Sequence, residues 1–146
     1  MNREQLALNH ALMIEMIRSK GVSNTEMMAL LKKGDTEGFR VFGDGIPDWQ
    51  TFIEYYHNHT NKVENAIMKG FKITFLTKGA LKSLLRIKYG LHESVNFQDC
   101  GHYLDELQLS IPQYEELQHT ISNNWTIVEK SFNDPTYDLK IELTRQ

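Results

Sequence analysis

The sequence predicts an α+β protein in which N-terminal helices pack on a ferredoxin-like βαββαβ unit that carries an extra C-terminal antiparallel strand. Three observations predict it. Apolar residues recur with a helical period as far as Gly70, and the period turns to alternation at Phe71. From Phe71 onward the patterns run strand, helix, strand, strand, helix, strand. The closing stretch YDLKIEL alternates through Tyr137, Leu139, Ile141 and Leu143, which supplies the extra strand. Two regions follow from this. Residues 1–70 form a helical region of three helices with a Gly-rich loop at 34–47, and residues 71–146 form an α+β region. The two are expected to share one structural unit, because two of the three helices are too short to make a core alone.

The first helix is expected over residues 3–19, with Leu6, His10, Met13 and Ile17 on one face and Gly21 closing it. Ser23 and Glu26 form a capping box that opens a second helix, which ends at Gly34. The glycine-rich stretch GDTEGFRVFGDGIP has no period and reads as a loop, with a short strand at Phe39 to Phe42. Asp48 then caps a long third helix. Trp49, Phe52, Ile53, Tyr56, Thr60, Val63 and Ile67 fall on one stripe of that helix, unbroken to Gly70.

Phe71, Ile73 and Phe75 alternate as a strand, and Thr77 caps a helix from Lys78 to Tyr89 that buries Ala80, Leu81, Leu84 and Leu85. Ser94 to Phe97 and Tyr103 to Leu109 read as two strands joined around Asp99-Cys100-Gly101. A second capping box, Ser110 with Gln113, opens a helix ended by Asn123-Asn124. Trp125 to Lys130 is the next strand, and Asn133-Asp134-Pro135 turns the chain into the last one.

A chain of 146 residues can bury roughly two-thirds of its unfolded surface, so a sizeable core is expected. Hydrophobic residues at 40% and charged residues at 24% are those of an ordinary globular protein, which excludes extended disorder. No apolar run has the length of a membrane span, and LALNHALMI, broken by Asn9 and His10, does not read as a secretory leader. Cys100 is the single cysteine, so no intramolecular disulfide forms and a reducing, cytoplasmic setting is expected. In that setting the sequon Asn58-His59-Thr60 has no consequence.

Charge is unevenly spread. Residues 62–88 hold seven basic side chains against Glu64 alone, while residues 89–146 hold three basic against ten acidic. Lys78, Lys82 and Arg86 recur every fourth residue and make a basic ridge on one helix, with Lys72 on the preceding strand. Two expectations compete there. Either the acidic C-terminal third pairs the ridge off, or Lys72, Lys78, Lys82 and Arg86 bind an anionic partner.

Sharper motifs are weak. EYYHNHTN sets His57 and His59 beside Glu54 and two tyrosines, but on a helix residues two apart point about 160° from each other and cannot close on one ion. Thr77-Lys78-Gly79 places an ammonium at a helix N-terminus yet lacks the glycines of a phosphate loop. RSKGVSNTEMMALLKK resembles two helices meeting through a turn, but the second opens with Asn24, Thr25 and Glu26, not with basic residues. Cys100 and His102 have no third residue to orient them, and no hydrolase, zinc-protease or dinucleotide motif occurs. Met13, Met16, Met27 and Met28 gather in the first two helices, where thioethers fill gaps or line adaptable surfaces.

The expectation is therefore a small non-catalytic binding or regulatory protein that acts through a protein partner. Self-association is compatible with it, and no cofactor, metal or membrane is expected. The alternative is nucleic-acid or phosphoanion binding through the ridge at 78–86, and third comes a small enzyme or metal protein using the histidines or Cys100.

Overall fold

The computed structural model describes residues 3–43 and 48–144. It is a mixed α+β structure. In chain order it comprises β1 (Glu4–Leu6), α1 (Leu8–Arg18), α2 (Asn24–Lys33), a 3₁₀ turn at Glu37–Phe42, α3 (Trp49–Asn58) and α4 (Thr60–Lys69). There follow β2 (Phe71–Ile73), α5 (Lys78–Tyr89), β3 (Gln98–Asp99), β4 (Tyr103–Ser110), α6 (Ile111–Thr120), β5 (Trp125–Asn133) and β6 (Thr136–Leu143).

Helix ends follow the caps. Ser23 with Glu26, and Ser110 with Gln113, form both expected capping boxes, and Asp48 and Thr77 accept from the amides of Thr51 and Ala80. Gly34 and Gly90 close α2 and α5 in the left-handed conformation, at φ 71° and 70°.

The sheets correct the expected topology. Strand β1 pairs with β2 in a two-stranded parallel sheet, Gln5 opposite Lys72, while the remaining strands form an antiparallel sheet of order β3-β4-β6-β5. The ferredoxin-like arrangement is not confirmed, because β2 lies with β1 and outside the larger sheet. The C-terminal strand, expected as an addition, is central, paired with β4 on one side and β5 on the other. Its inward Leu139 and Ile141 are fully buried, whereas Lys130, Lys140 and Glu142 lie on the polar side, so the sheet keeps one wet face.

Four local expectations are also corrected. The segment before α1 is the strand β1, because Leu6 gains backbone bonds from β2 that a longer helix would forgo. Phe39 to Phe42 forms a 3₁₀ turn, not a strand, with Phe39 packed against Trp49 at 5.4 Å between ring centroids; positions 44–47 of the Gly-rich loop lie outside the described residues. Ser94 to Phe97 is a turn closed by the Ser94 amide on the Phe97 carbonyl, and β3 holds only the next two residues. Phe75 points outward and Leu76 takes the inner place, held by the Trp125 indole and the Asn124 amide, both donating to the Leu76 carbonyl at 2.8 Å.

The long third helix is two helices. His59, at φ −136° and ψ 46°, ends α3 and caps α4. The hydroxyl of Thr60 donates to the Tyr56 carbonyl at 2.9 Å, a back-bond that competes with the helical ladder and bends the chain. The apolar stripe survives the break: Trp49, Phe52, Ile53, Tyr56, Val63 and Ile67 are all buried. With Leu6, Met13 and Ile17 from the N-terminal elements and Leu81, Leu84, Leu117 and Ile141 from the rest, they form a continuous core.

Candidate functional site

The residues that the sequence singles out do not gather in one place. His57 and His59 are both exposed, His57 in the last turn of α3 and His59 at the break itself; His57 packs against Tyr56 and over Gly34, and the His59 ring lies tilted against Tyr55 at 4.5 Å between centroids. Their expected placement on one continuous helix is corrected, while the inward turn of Tyr56 is observed: its phenol donates to Glu64 at 2.9 Å. Burial and that bond push the phenol up to about 12. Among the described residues, no three His, Cys, Asp or Glu side chains converge to hold a metal ion. Cys100 is exposed and its thiol faces the Gln98 carbonyl.

The basic ridge is divided by its neighbours. Lys78 meets Asp99 at 3.2 Å and also donates to the Gly101 carbonyl; Lys82 lies between Glu93, at 2.9 Å, and Asp99. Asp99 is held far below the usual carboxylate range by Lys82 first, then by the Gly101 amide and Lys78, and Lys82 is raised in return. Arg86 is different. It is exposed, makes no ion pair among the described residues, and stands at the rim of a groove. Lys72, on β2, donates to the carbonyl of Ile121 at 3.1 Å and faces another concavity altogether.

The groove lies between α1 and α5. Leu8, Leu12 and Met16 follow one another at four-residue spacing along α1, so they form a stripe, and Ser83, Arg86 and Ile87 face them from α5. It encloses about 440 Å³ and its wall is mainly apolar. Reading α1 for its buried face alone overlooks this second stripe, although Leu8, Leu12 and Met16 are visible in the sequence at helical spacing.

The second concavity is polar and holds about 590 Å³. Arg3 enters it from the N-terminal segment, Lys62 from α4, Lys72 from β2 and His119 from α6, with the amides of Gln5 and Gln118 beside them. The guanidinium of Arg3 lies over Gly70 so closely that a Cβ there would meet it, and it forks onto Glu116 at 3.0 and 3.1 Å. Apart from Lys72, none of these residues is marked by any local motif, because they meet only through the β1–β2 pairing and the packing of α4 and α6.

A chain of ion pairs runs from the polar concavity into the contact between α1 and α5. Arg3 holds Glu116, Glu116 meets Lys88 at 3.7 Å, Lys88 meets the buried Glu15 at 3.0 Å, and Arg18 closes on Glu15 from the other side. On α1, His10 is buried against Tyr55 and Phe52 of α3, and burial followed by the charge of Lys62 lowers its imidazole. Comparison with models of protein families, with curated proteins and with solved structures found no match.

Proposed function

We propose that the protein is a non-catalytic binding module whose α1–α5 groove takes an amphipathic helix of a protein partner. The observation that carries this reading is the stripe of Leu8, Leu12 and Met16 facing Ile87 across an open groove. Flexible Met16 and its leucine neighbours suit an apolar helix face, which such grooves read at spacings of three and four residues. Arg86 and Asp48 give the groove one charge of each sign, so they supply the polar selectors for charged residues that flank the partner helix's apolar anchors. A reducing cytoplasm suits a chain with one exposed thiol. No helix among the described residues is long and apolar enough to cross a membrane.

The ridge itself supports the anionic alternative poorly. Lys78 and Lys82 already hold Asp99 and Glu93, and an incoming phosphate would have to displace both carboxylates. Lys72 and Arg86 point to other surfaces.

The test uses wild type and Met16→Glu as paired baits in extracts of the native host, with circular dichroism confirming the fold of each. A protein retained by wild type and lost by the variant, whose isolated helix then binds wild type in solution, is the expected result. Sedimentation of both forms identifies a second copy of the chain as the occupant if Met16→Glu converts a dimer to a monomer. Identical capture by both baits overturns the reading.

A further inference from the structure

We infer that the cavity formed by Arg3, Lys62, Lys72 and His119 is a binding site for a phosphorylated small molecule of about nucleotide size. Four separate chain segments bring these cationic or protonatable groups to one concavity, where gathering like charges costs stability that an anionic ligand would offset. Two of the cations are fixed in place. Arg3 is forked onto Glu116 and laid across Gly70, and Lys72 is anchored by the Ile121 carbonyl, so neither loses much freedom when an anion arrives. Lys62 makes no ion pair among the described residues, and its field is felt within the fold by His10.

Charge and size narrow the class. Arg3, Lys62 and Lys72 face Glu4 in the same wall and Glu116 behind Arg3, which leaves a local excess of one positive charge. That is enough for a compact phosphate group. A long nucleic-acid backbone is disfavoured, because the whole chain carries a formal charge of −3 and the ridge at Lys78 and Lys82 is paired. The cavity, at about 590 Å³, has the volume of a small-molecule site and exceeds what inorganic phosphate needs. Its amides, Gln5 and Gln118, offer donors and acceptors to the polar body of a sugar or base.

Isothermal titration of the full chain with pyrophosphate, ADP, adenosine and a single-stranded oligonucleotide tests the inference. Pyrophosphate and ADP are expected to bind and to compete, adenosine is not, and the amide signals of Gln5 and Gln118 should move in the NMR spectrum as ADP is added. The double variant Lys62→Gln, Lys72→Gln, checked for fold by circular dichroism, should weaken ADP and pyrophosphate about tenfold or more per cation removed. The inference is overturned by no binding of pyrophosphate, by equal binding of adenosine and ADP, or by binding that the double variant leaves unchanged. Tighter binding of the oligonucleotide than of ADP, lost in the double variant, overturns it in favour of nucleic acid.

Discussion

The ammonium of Lys88 on α5 meets the carboxylate of Glu15 on α1 at 3.0 Å, with the two side chains only 10% and 3% exposed. A pair this dry gains little over an apolar pair of the same volume, but breaking it leaves a charge in the interior. Lys88→Met should therefore cost about 3 kcal/mol in urea melts, moderated because Arg18 still holds Glu15. The double variant Glu15→Met, Lys88→Met should recover at least half of that loss. If both variants lose equally, the pair is not what joins α1 to α5.

Burial of His10 between α1 and α3 makes stability depend on pH in a stated direction. Phe52 and Tyr55 face the ring from α3, Lys62 acts on it from α4, and neither ring nitrogen has a hydrogen-bond partner among the described residues. The folded state thus holds the imidazole below its ordinary value of 6.5. The unfolded chain takes up the proton first. The stability due to neutral His10 is complete above pH 6.5 and is lost as pH falls through that value toward the folded one. The expected slope is at most about 1.4 kcal/mol per pH unit for the one proton. His10→Phe keeps the stack and should flatten the profile of urea midpoints between neutral pH and the carboxylate range; an unchanged profile would show that His10 is not its source.

Tyr56 and His57 are neighbours in sequence with opposite fates. Tyr56→Ala removes a buried aromatic and the bond to Glu64, so it should cost about 3 kcal/mol or more, whereas exposed His57→Ala should cost less than about 1 kcal/mol. Denaturant melts that gave equal, small losses would place the stripe from Trp49 to Ile67 outside the core.

What was legible in the sequence was whatever local chemistry decides. The capping residues Ser23, Thr77 and Ser110 and the closing Gly34 and Gly90 located helix ends, since each satisfies backbone groups a few residues away. The burial of Tyr56 and Ile141 followed from period alone. Strand β1 was not legible. Three residues acquire strand geometry only by pairing with β2, more than sixty positions on, and helix periodicity covered them equally well. The same pairing diverted β2 from the larger sheet and left the ferredoxin-like order unconfirmed. The break at His59 was hidden because the apolar stripe continues across it, and only the Thr60 hydroxyl hinted at competition with the ladder. The candidate site split likewise: the α1 stripe was present at helical spacing, but Arg3, Lys62 and His119 belong to distant segments and share no pattern.

The contact between Lys82 and Asp99 decides whether the ridge is occupied. Lys82 is the first cause that holds the Asp99 carboxyl below its ordinary range, followed by the Gly101 amide and Lys78. Lys82→Gln should therefore move the Asp99 carboxyl upward toward its ordinary value of 3.8, read by carbon-detected NMR titration. A depressed carboxylate stabilises the fold above its unfolded value and loses that contribution as pH falls below it. The variant should accordingly show a shallower loss of stability in that acid range than wild type. Arg86→Gln offers the contrast: exposed and without an ion pair among the described residues, it should shift stability by less than about 0.5 kcal/mol while weakening capture of the groove's partner. Were Asp99 to titrate identically with and without Lys82, the ammonium would not be committed to it. Lys78 and Lys82 would then be available to anions, and retention on heparin that falls in Lys78→Gln, Lys82→Gln would return the function to the ridge.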